Sequence, residues 1–238
     1  MNPSVPSARD LILLGGGHSN IQVLRYFGMH DQPGVRLTLV SENAHSPYSG
    51  MIPAAIAGVY GVEDTYINLE RLCQFAGARF VRGKVTGMDL GNRRVLLDNR
   101  PSLHYDALSL NIGSVPESII DGALSIKPIS DFESHLKFLD QNIKSGDMLT
   151  IVGSGAAGIE LSLAFRARYK DQIAINLIGN DLPAGINAKS AEVFFKEFAR
   201  KNVRFIEGRV VDFDGAIAHL EGGLEVKTDY VIQATSVM

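Results

Sequence analysis

Two glycine-rich hexapeptides carry most of the chemistry that this sequence offers. Gly15-Gly16-Gly17-His18-Ser19-Asn20 follows the apolar run Leu11-Ile12-Leu13-Leu14, and Gly153-Ser154-Gly155-Ala156-Ala157-Gly158 follows Leu149-Thr150-Ile151-Val152. In a strand-to-helix turn the first glycine permits a backbone angle that other residues resist. The second lets a pyrophosphate approach the backbone, and the third lets the helix pack closely on the strand. The helix N-terminus then presents unpaired N–H groups and roughly half a positive charge. Two such loops suit two dinucleotides. The second loop has all three glycines, Gly153, Gly155 and Gly158, with Ala156 and Ala157 opening the helix. The first has Gly15 and Gly17, with Asn20 in the third place. Ser19 and Asn20 are candidates for extra hydrogen bonds to phosphate.

The elements that must position these loops also recur. Gly15 and Gly153 define an offset of 138 residues. A helix follows each loop, marked by Val23, Leu24 and Phe27 in one copy and by Ile159, Leu161, Leu163 and Phe165 in the other. Second strands follow at 36–40 and 174–178, and their ends, Ser41 and Gly179, keep the same offset. The stretch 78–85 then resembles 203–210. Each is followed by hairpin-like strands, an aspartate and an apolar strand, at 106–113 and 229–236. A glycine loop that follows a strand, opens a helix and recurs in duplicate is a specific signal. The expected fold class is α/β: two tandem Rossmann-like three-layer units, each with a parallel sheet plus a β-meander. The breakers Ser114-Val115-Pro116 and Lys127-Pro128 bracket the join. It is expected near Gly122, giving domains over 1–122 and 123–238.

A carboxylate at the end of the second strand would bind ribose hydroxyls. In the first copy that place is Ser41, with Glu42 next, and Glu42 is either a ribose ligand or a solvated surface residue. In the second it is Gly179, followed by Asn180 and Asp181, with no arginine for a 2′-phosphate. The choice between NADH and NADPH is therefore open, and weak nucleotide binding is a further reading.

Other chemistries lack their residues. Net charge is −3, from 23 Lys and Arg against 26 Asp and Glu, which gives no basic field for a nucleic acid. Cys73 is the single cysteine, so this chain cannot form an intrachain disulfide or a CxxC pair, and it reads as a half-buried helix residue. The six histidines show no HxxxH or HExxH spacing, and no metal site is expected. No apolar run approaches the roughly 20 residues of a membrane span, and the polar start of the chain is unlike a secretory signal. A cytoplasmic location is the expectation.

These residues resemble the FAD/NAD(P)-dependent pyridine nucleotide-disulfide oxidoreductase superfamily, in its NADH-dehydrogenase-like branch. The segment His45-Ser46-Pro47-Tyr48-Ser49-Gly50-Met51-Ile52-Pro53 is similar to the module fused to selenide, water dikinase. The resemblance implies FAD on the first copy and NAD(P)H on the second. Hydride would pass to FAD, and electrons onward to an unknown acceptor. It implies that Tyr48 and Ser49 run beside the flavin ring and that the backbone of Val85 meets adenine. Asn111-Ile112-Gly113 and Ala234-Thr235-Ser236 stand where such proteins usually carry Ala-Thr-Gly, which gives Asn111, Gly113 and Thr235 as cofactor contacts. Glu160 is either a residue near the nicotinamide and flavin or a glutamate favoured by the helix dipole. His18 and His45 either tune the flavin or make ordinary loop hydrogen bonds. Relatives return from the second domain to complete the first with a Gly-Asp pair. This chain ends before such a segment, so a piece of a longer protein is expected, with an open sheet edge that invites a dimer. A rival reading is a regulatory module that binds a dinucleotide without turnover beside a selenophosphate synthetase. A third, a quinone reductase at the membrane, needs an amphipathic anchor that the sequence does not contain.

Overall fold

The apolar runs that end in glycine become the central strands of two parallel sheets. The computed structural model describes residues 8–114, 116–180 and 187–235. Two compact units result, one of Met1–Tyr48 with Tyr66–Gly113, the other of Ser49–Thr65 with Ser114–Met238. The division thus falls at Gly113 and Ser114 rather than near Gly122, and a short piece of the first half of the sequence belongs to the second unit. Val115, in the breaker that marked the join, lies outside the described residues.

The first unit opens with β1 (Arg9–Leu14), α1 (His18–Met29), β2 (Val35–Ser41) and β3 (His45–Pro47). The chain then forms α2 (Ile52–Ile56), which belongs to the second unit. It returns through β4 (Tyr66–Asn68), α3 (Leu69–Phe75) and β5 (Arg79–Arg82). The meander β6 (Val85–Asp89), β7 (Arg94–Leu97) and β8 (Arg100–His104) follows, and β9 (Ala107–Leu110) completes the sheet, whose order is β5-β2-β1-β9. Both faces of the two central strands are covered, which is why Leu11–Leu14 of β1 and Leu37–Val40 of β2 are near-continuous apolar runs rather than alternating ones. Leu13, Leu37 and Leu39 pack with Ile21 and Leu24 of α1 and Leu69 and Cys73 of α3. Ile12, Leu14 and Val40 face the other way, onto Val95 and Leu97 of the meander.

The second unit repeats this plan. Its elements are β10 (Leu124–Ser125), α4 (Phe132–Asn142), β11 (Met148–Val152), α5 (Ala156–Tyr169), β12 (Ala174–Gly179), α6 (Ala188–Arg200) and β13 (Val203–Glu207). The meander β14 (Val210–Phe213), β15 (Ile217–Leu220) and β16 (Glu225–Lys227) leads to β17 (Tyr230–Gln233). The sheet order is β10-β17-β11-β12-β13, all parallel. Leu149, Ile151, Ile175 and Leu177 bury against Leu136 and Leu139 of α4, Leu161 and Phe165 of α5, and Ile52 and Ile56 of α2. Val152 and Ile178 turn to the meander.

The repeat holds to the register. Leu11 pairs with Leu37 and Leu13 with Leu39, and at the offset of 138 Leu149 pairs with Ile175 and Ile151 with Leu177. Small contacts repeat as well. Asp106 accepts the Asp10 N–H at 2.7 Å, and Asp229 accepts the Met148 N–H at 2.8 Å. The expected fold class is the one observed: two Rossmann-like units, each of helices, parallel sheet and meander.

Candidate functional site

Each glycine loop is shaped by the strand that ends beside it. Gly15 N–H donates to the Val40 carbonyl at 2.8 Å, and Gly153 N–H to the Ile178 carbonyl at 2.8 Å. Gly15 and Gly153 have φ of +84° and +114°, the left-handed region that favours glycine. A Cβ on Gly15 would run into the Asn111 carbonyl, and one on Gly153 into the Ala234 carbonyl. The loops therefore hold the same backbone against the same neighbouring strand.

The third glycine position separates the two copies. A Cβ on Gly158 would collide with the Gly153 carbonyl, so only glycine lets α5 sit this close. In the first copy Asn20 occupies that place fully buried. Its Nδ2 donates to the carbonyls of Leu14 at 3.0 Å and Gly15 at 2.8 Å, while Oδ1 accepts from Ser109 Oγ at 2.7 Å. Both amide hydrogens are committed inside the fold. The Asn20 side chain thus braces the loop from within.

At the mouth of the first loop, Asn111 Oδ1 accepts the Ser19 N–H at 2.9 Å. A Cβ on Gly17 would strike that side chain. Asn111 therefore occupies part of the α1 N-terminus. His18, the first residue of α1, is exposed and stacks on Tyr48, with ring centroids 5.4 Å apart and planes at 21°. Ser46 Oγ donates to the Gly16 carbonyl at 2.7 Å, a loop support that sequence reasoning did not select. His45 Nε2 pairs with Asn68 Nδ2 at 3.4 Å, across the β3–β4 pair. Glu42 is exposed, and its backbone carbonyl accepts from Arg82 Nε at 3.1 Å. Val85 opens β6, partly buried against the meander core, and Gly113 has φ +85° with open space around it. Ser49 begins a short 3-10 turn in the second unit.

The second loop is open. Among the described residues, and apart from its own chain neighbours, no heavy atom lies within 4 Å of a Cβ placed on Gly155. Gly153, Ser154, Gly155, Ala156, Ala157 and Thr235 line a groove of about 930 Å³, a volume suited to a dinucleotide. Gly179, Asn180, Gly208, Arg209 and Glu221 form one flank. Glu117, Ser118 and Ile119 form the flank beside β17. That flank is held by Gln233, whose Oε1 accepts the Ile120 N–H at 3.0 Å and whose Nε2 donates to the Ser118 carbonyl and to Thr235 Oγ1. Arg209 and Gln233 are site residues that sequence reasoning passed over. For Arg209 the one signal is the match of 203–210 to 78–85, and for Gln233 the sequence holds none. Asp181 and Ser236 lie outside the described residues.

Glu160 stands on α5 as an exposed residue beyond the first helical turn, outside the lining of the groove. Dipole stabilisation falls off within one turn, so that account of Glu160 loses force. Cys73 is fully buried rather than half-buried, and burial pushes its thiol up to about 11. An inert structural thiol follows. Among the described residues no cluster of His, Cys, Asp and Glu could hold a metal, and no helix is long and apolar enough to cross a membrane.

The family model described as pyridine nucleotide-disulphide oxidoreductase matches residues 9–237. The chain belongs to that family. It is 24% identical over 223 residues to the NADH dehydrogenase-like protein YutJ of Bacillus subtilis (strain 168), covering 85% of this chain and 60% of YutJ. It is 28% identical over 178 residues to ferroptosis suppressor protein 1 of Taeniopygia guttata, covering 68% of this chain and 46% of that protein. Among solved structures, NDH2 from Plasmodium falciparum in complex with NADH matches with a TM-score of 0.79 at 19% identity, covering 96% of this chain and 55% of that one. Reduced CoADR-RHD of Bacillus anthracis matches with a TM-score of 0.82 at 19% identity, covering 97% and 44%. These structures share the fold. The chain spans 60% or less of the length of the curated relatives named here.

Proposed function

We propose that this chain is the two-nucleotide part of an NADH-dehydrogenase-like oxidoreductase. NAD(P)H occupies the groove of the second unit, FAD the first loop, and electrons pass to an acceptor that the residues do not name. The observation that carries this reading is the duplicated loop: two glycine turns of matching register, each against a carbonyl of the neighbouring strand. Membership of the family and the likeness to NADH dehydrogenase-like proteins support it.

The residues present fit both groups. The cradle at Gly155 is clear, and the first loop has the same backbone course. Bound flavin would supply the hydride-accepting chemistry, and the protein's part is to bind, orient and shield. Gly153, Gly155 and the N–H groups of Ala156 and Ala157 would hold a pyrophosphate. Thr235 and the Ser118 turn, fixed by Gln233, shape the end of the groove beside β17. In the first unit Gly15, Gly17 and Ser19 would hold the flavin pyrophosphate, with Asn111 competing for the Ser19 N–H. Tyr48 and His18 offer a stacked aromatic surface at the same loop.

The second reading, a nucleotide-binding module without turnover, gains from that Asn111 contact, since α1 is capped by the chain itself. A fusion partner that makes selenophosphate fits either reading through the segment 45–53. The visible spectrum of the purified protein, taken before and after anaerobic NADH or NADPH, separates them. We expect a flavin band that bleaches. A band unmoved by either nucleotide leaves the module reading, and a colourless protein that FAD does not reconstitute ends the flavin assignment.

A further inference from the structure

We infer that the groove of the second unit is built for adenosine carrying a 2′-phosphate, so that NADPH is its nucleotide, and that Arg209 is the residue that reads the phosphate. This deepens the nucleotide reading above and rests on it.

The sheet order fixes which end of the groove takes adenosine. In a unit of this kind the pyrophosphate sits on the first glycine loop, and the ribose of the adenosine half reaches the end of the next strand. That strand is β12, flanked by β13. The adenosine end is therefore the flank of Gly179, Asn180, Gly208 and Arg209.

The carboxylate that selects NADH is excluded there by packing. Gly179 is buried, and a Cβ on it would collide with Oγ, Cβ and N of Ser154 from the glycine loop. Any acidic side chain at 179 requires the loop to move. Asn180, next along, is exposed and neutral. Among the described residues, Gly179 and Asn180 bring no negative charge to this place; Glu207, the register partner of Gly179, ends β13 beside them but is not among the residues that line the groove.

A cation stands on the same flank. Gly208, at φ +152°, turns the chain from β13 into β14 and puts exposed Arg209 on the groove wall. Glu221 is its neighbour: the Glu221 N–H donates to the Arg209 carbonyl at 2.8 Å. Among the described residues the Arg209 guanidinium forms no ion pair, with Glu221 or any other carboxylate. Its five N–H donors match a phosphate in geometry and charge. The other groove carboxylate, Glu117, lies on the flank beside β17, at the opposite end from the adenosine.

Calorimetric titration of the full-length protein with NADPH, NADH, adenosine 2′,5′-bisphosphate and AMP tests this. NADPH and the bisphosphate should bind about tenfold or more tightly than NADH and AMP, the scale of one charge-assisted contact. Arg209→Ala should erase that ratio, and Arg209→Lys should keep part of it. Equal binding of NADPH and NADH, or tighter NADH, overturns the inference and leaves the nucleotide site standing. A preference for NADPH that survives Arg209→Ala overturns the role of Arg209. Failure of all four ligands to bind overturns the groove as a nucleotide site, and the proposed function with it.

Discussion

Asn20 shows how one residue can look like a ligand and act as a brace. It replaces the third glycine of the loop and spends both amide hydrogens on the carbonyls of Leu14 and Gly15. Removing it leaves those carbonyls and the Ser109 hydroxyl without this partner in a buried place. An unsatisfied buried group costs about 1–3 kcal/mol, so Asn20→Ala should lower the stability of the first unit by about 3 kcal/mol. Urea unfolding measures this, and a loss under about 0.5 kcal/mol would mean that the bonds contribute little. The sequence marked position 20 as unusual because Asn stands where glycine is expected. It could not show the burial, because Ser109 comes from a strand far along the chain. Arg209 escaped notice for a similar reason. Only the turn between β13 and β14 brings it to the groove, and locally it is one more charged residue after a strand.

At the scale of elements, the strands and glycine loops were legible because their signals are local: an apolar run, then glycines, then helical spacing. The ties between helices were not. Arg168 of α5 donates from Nε and Nη2 to both oxygens of Asp140 of α4, at 2.7 and 2.5 Å, and from Nη1 to the Ile56 carbonyl of α2 at 2.9 Å. The Tyr169 hydroxyl adds a bond to Asp140 at 3.0 Å, and burial raises its pKa. One guanidinium thus joins three helices over a single core. Arg166, two residues back on α5, donates to the carbonyls of Lys170, Ile173 and Asn202, and burial lowers its pKa. The Arg168–Asp140 pair is partly exposed, so water screens it and its contribution is smaller than that of a fully buried pair. Arg168→Ala should cost about 2 kcal/mol, mostly through the bidentate bonds and the orphaned Ile56 carbonyl. Asp140→Ala should cost a similar amount, and the double variant less than the sum of the two. Full additivity in that cycle would show that the pair is not coupled.

At the scale of the whole molecule, the two sequence halves and the two structural units are not the same division. The breakers mark a join between the two halves, whereas the compact units divide at Gly113 and Ser114, and nothing in Ile52-Pro53-Ala54-Ala55-Ile56 says which core will bury it. The structure assigns α2 to the second unit, where Ile52 and Ile56 are almost fully buried among Leu161, Phe165 and Ile232. Fully burying such a side chain stabilises by about 1.5–3 kcal/mol, so the two together contribute about 3–6 kcal/mol. That is a large share of the roughly 5–15 kcal/mol by which an ordinary domain stays folded. A fragment of residues 114–238 should therefore be expressed as a loose or partly unfolded protein, with poor protection from hydrogen exchange in α5. Joining residues 49–65 to it through a flexible Gly/Ser linker should restore a cooperative urea transition. Cooperative unfolding of 114–238 alone, at the midpoint of the linked form, would show that α2 is a passenger and that the halves read from sequence were the true units.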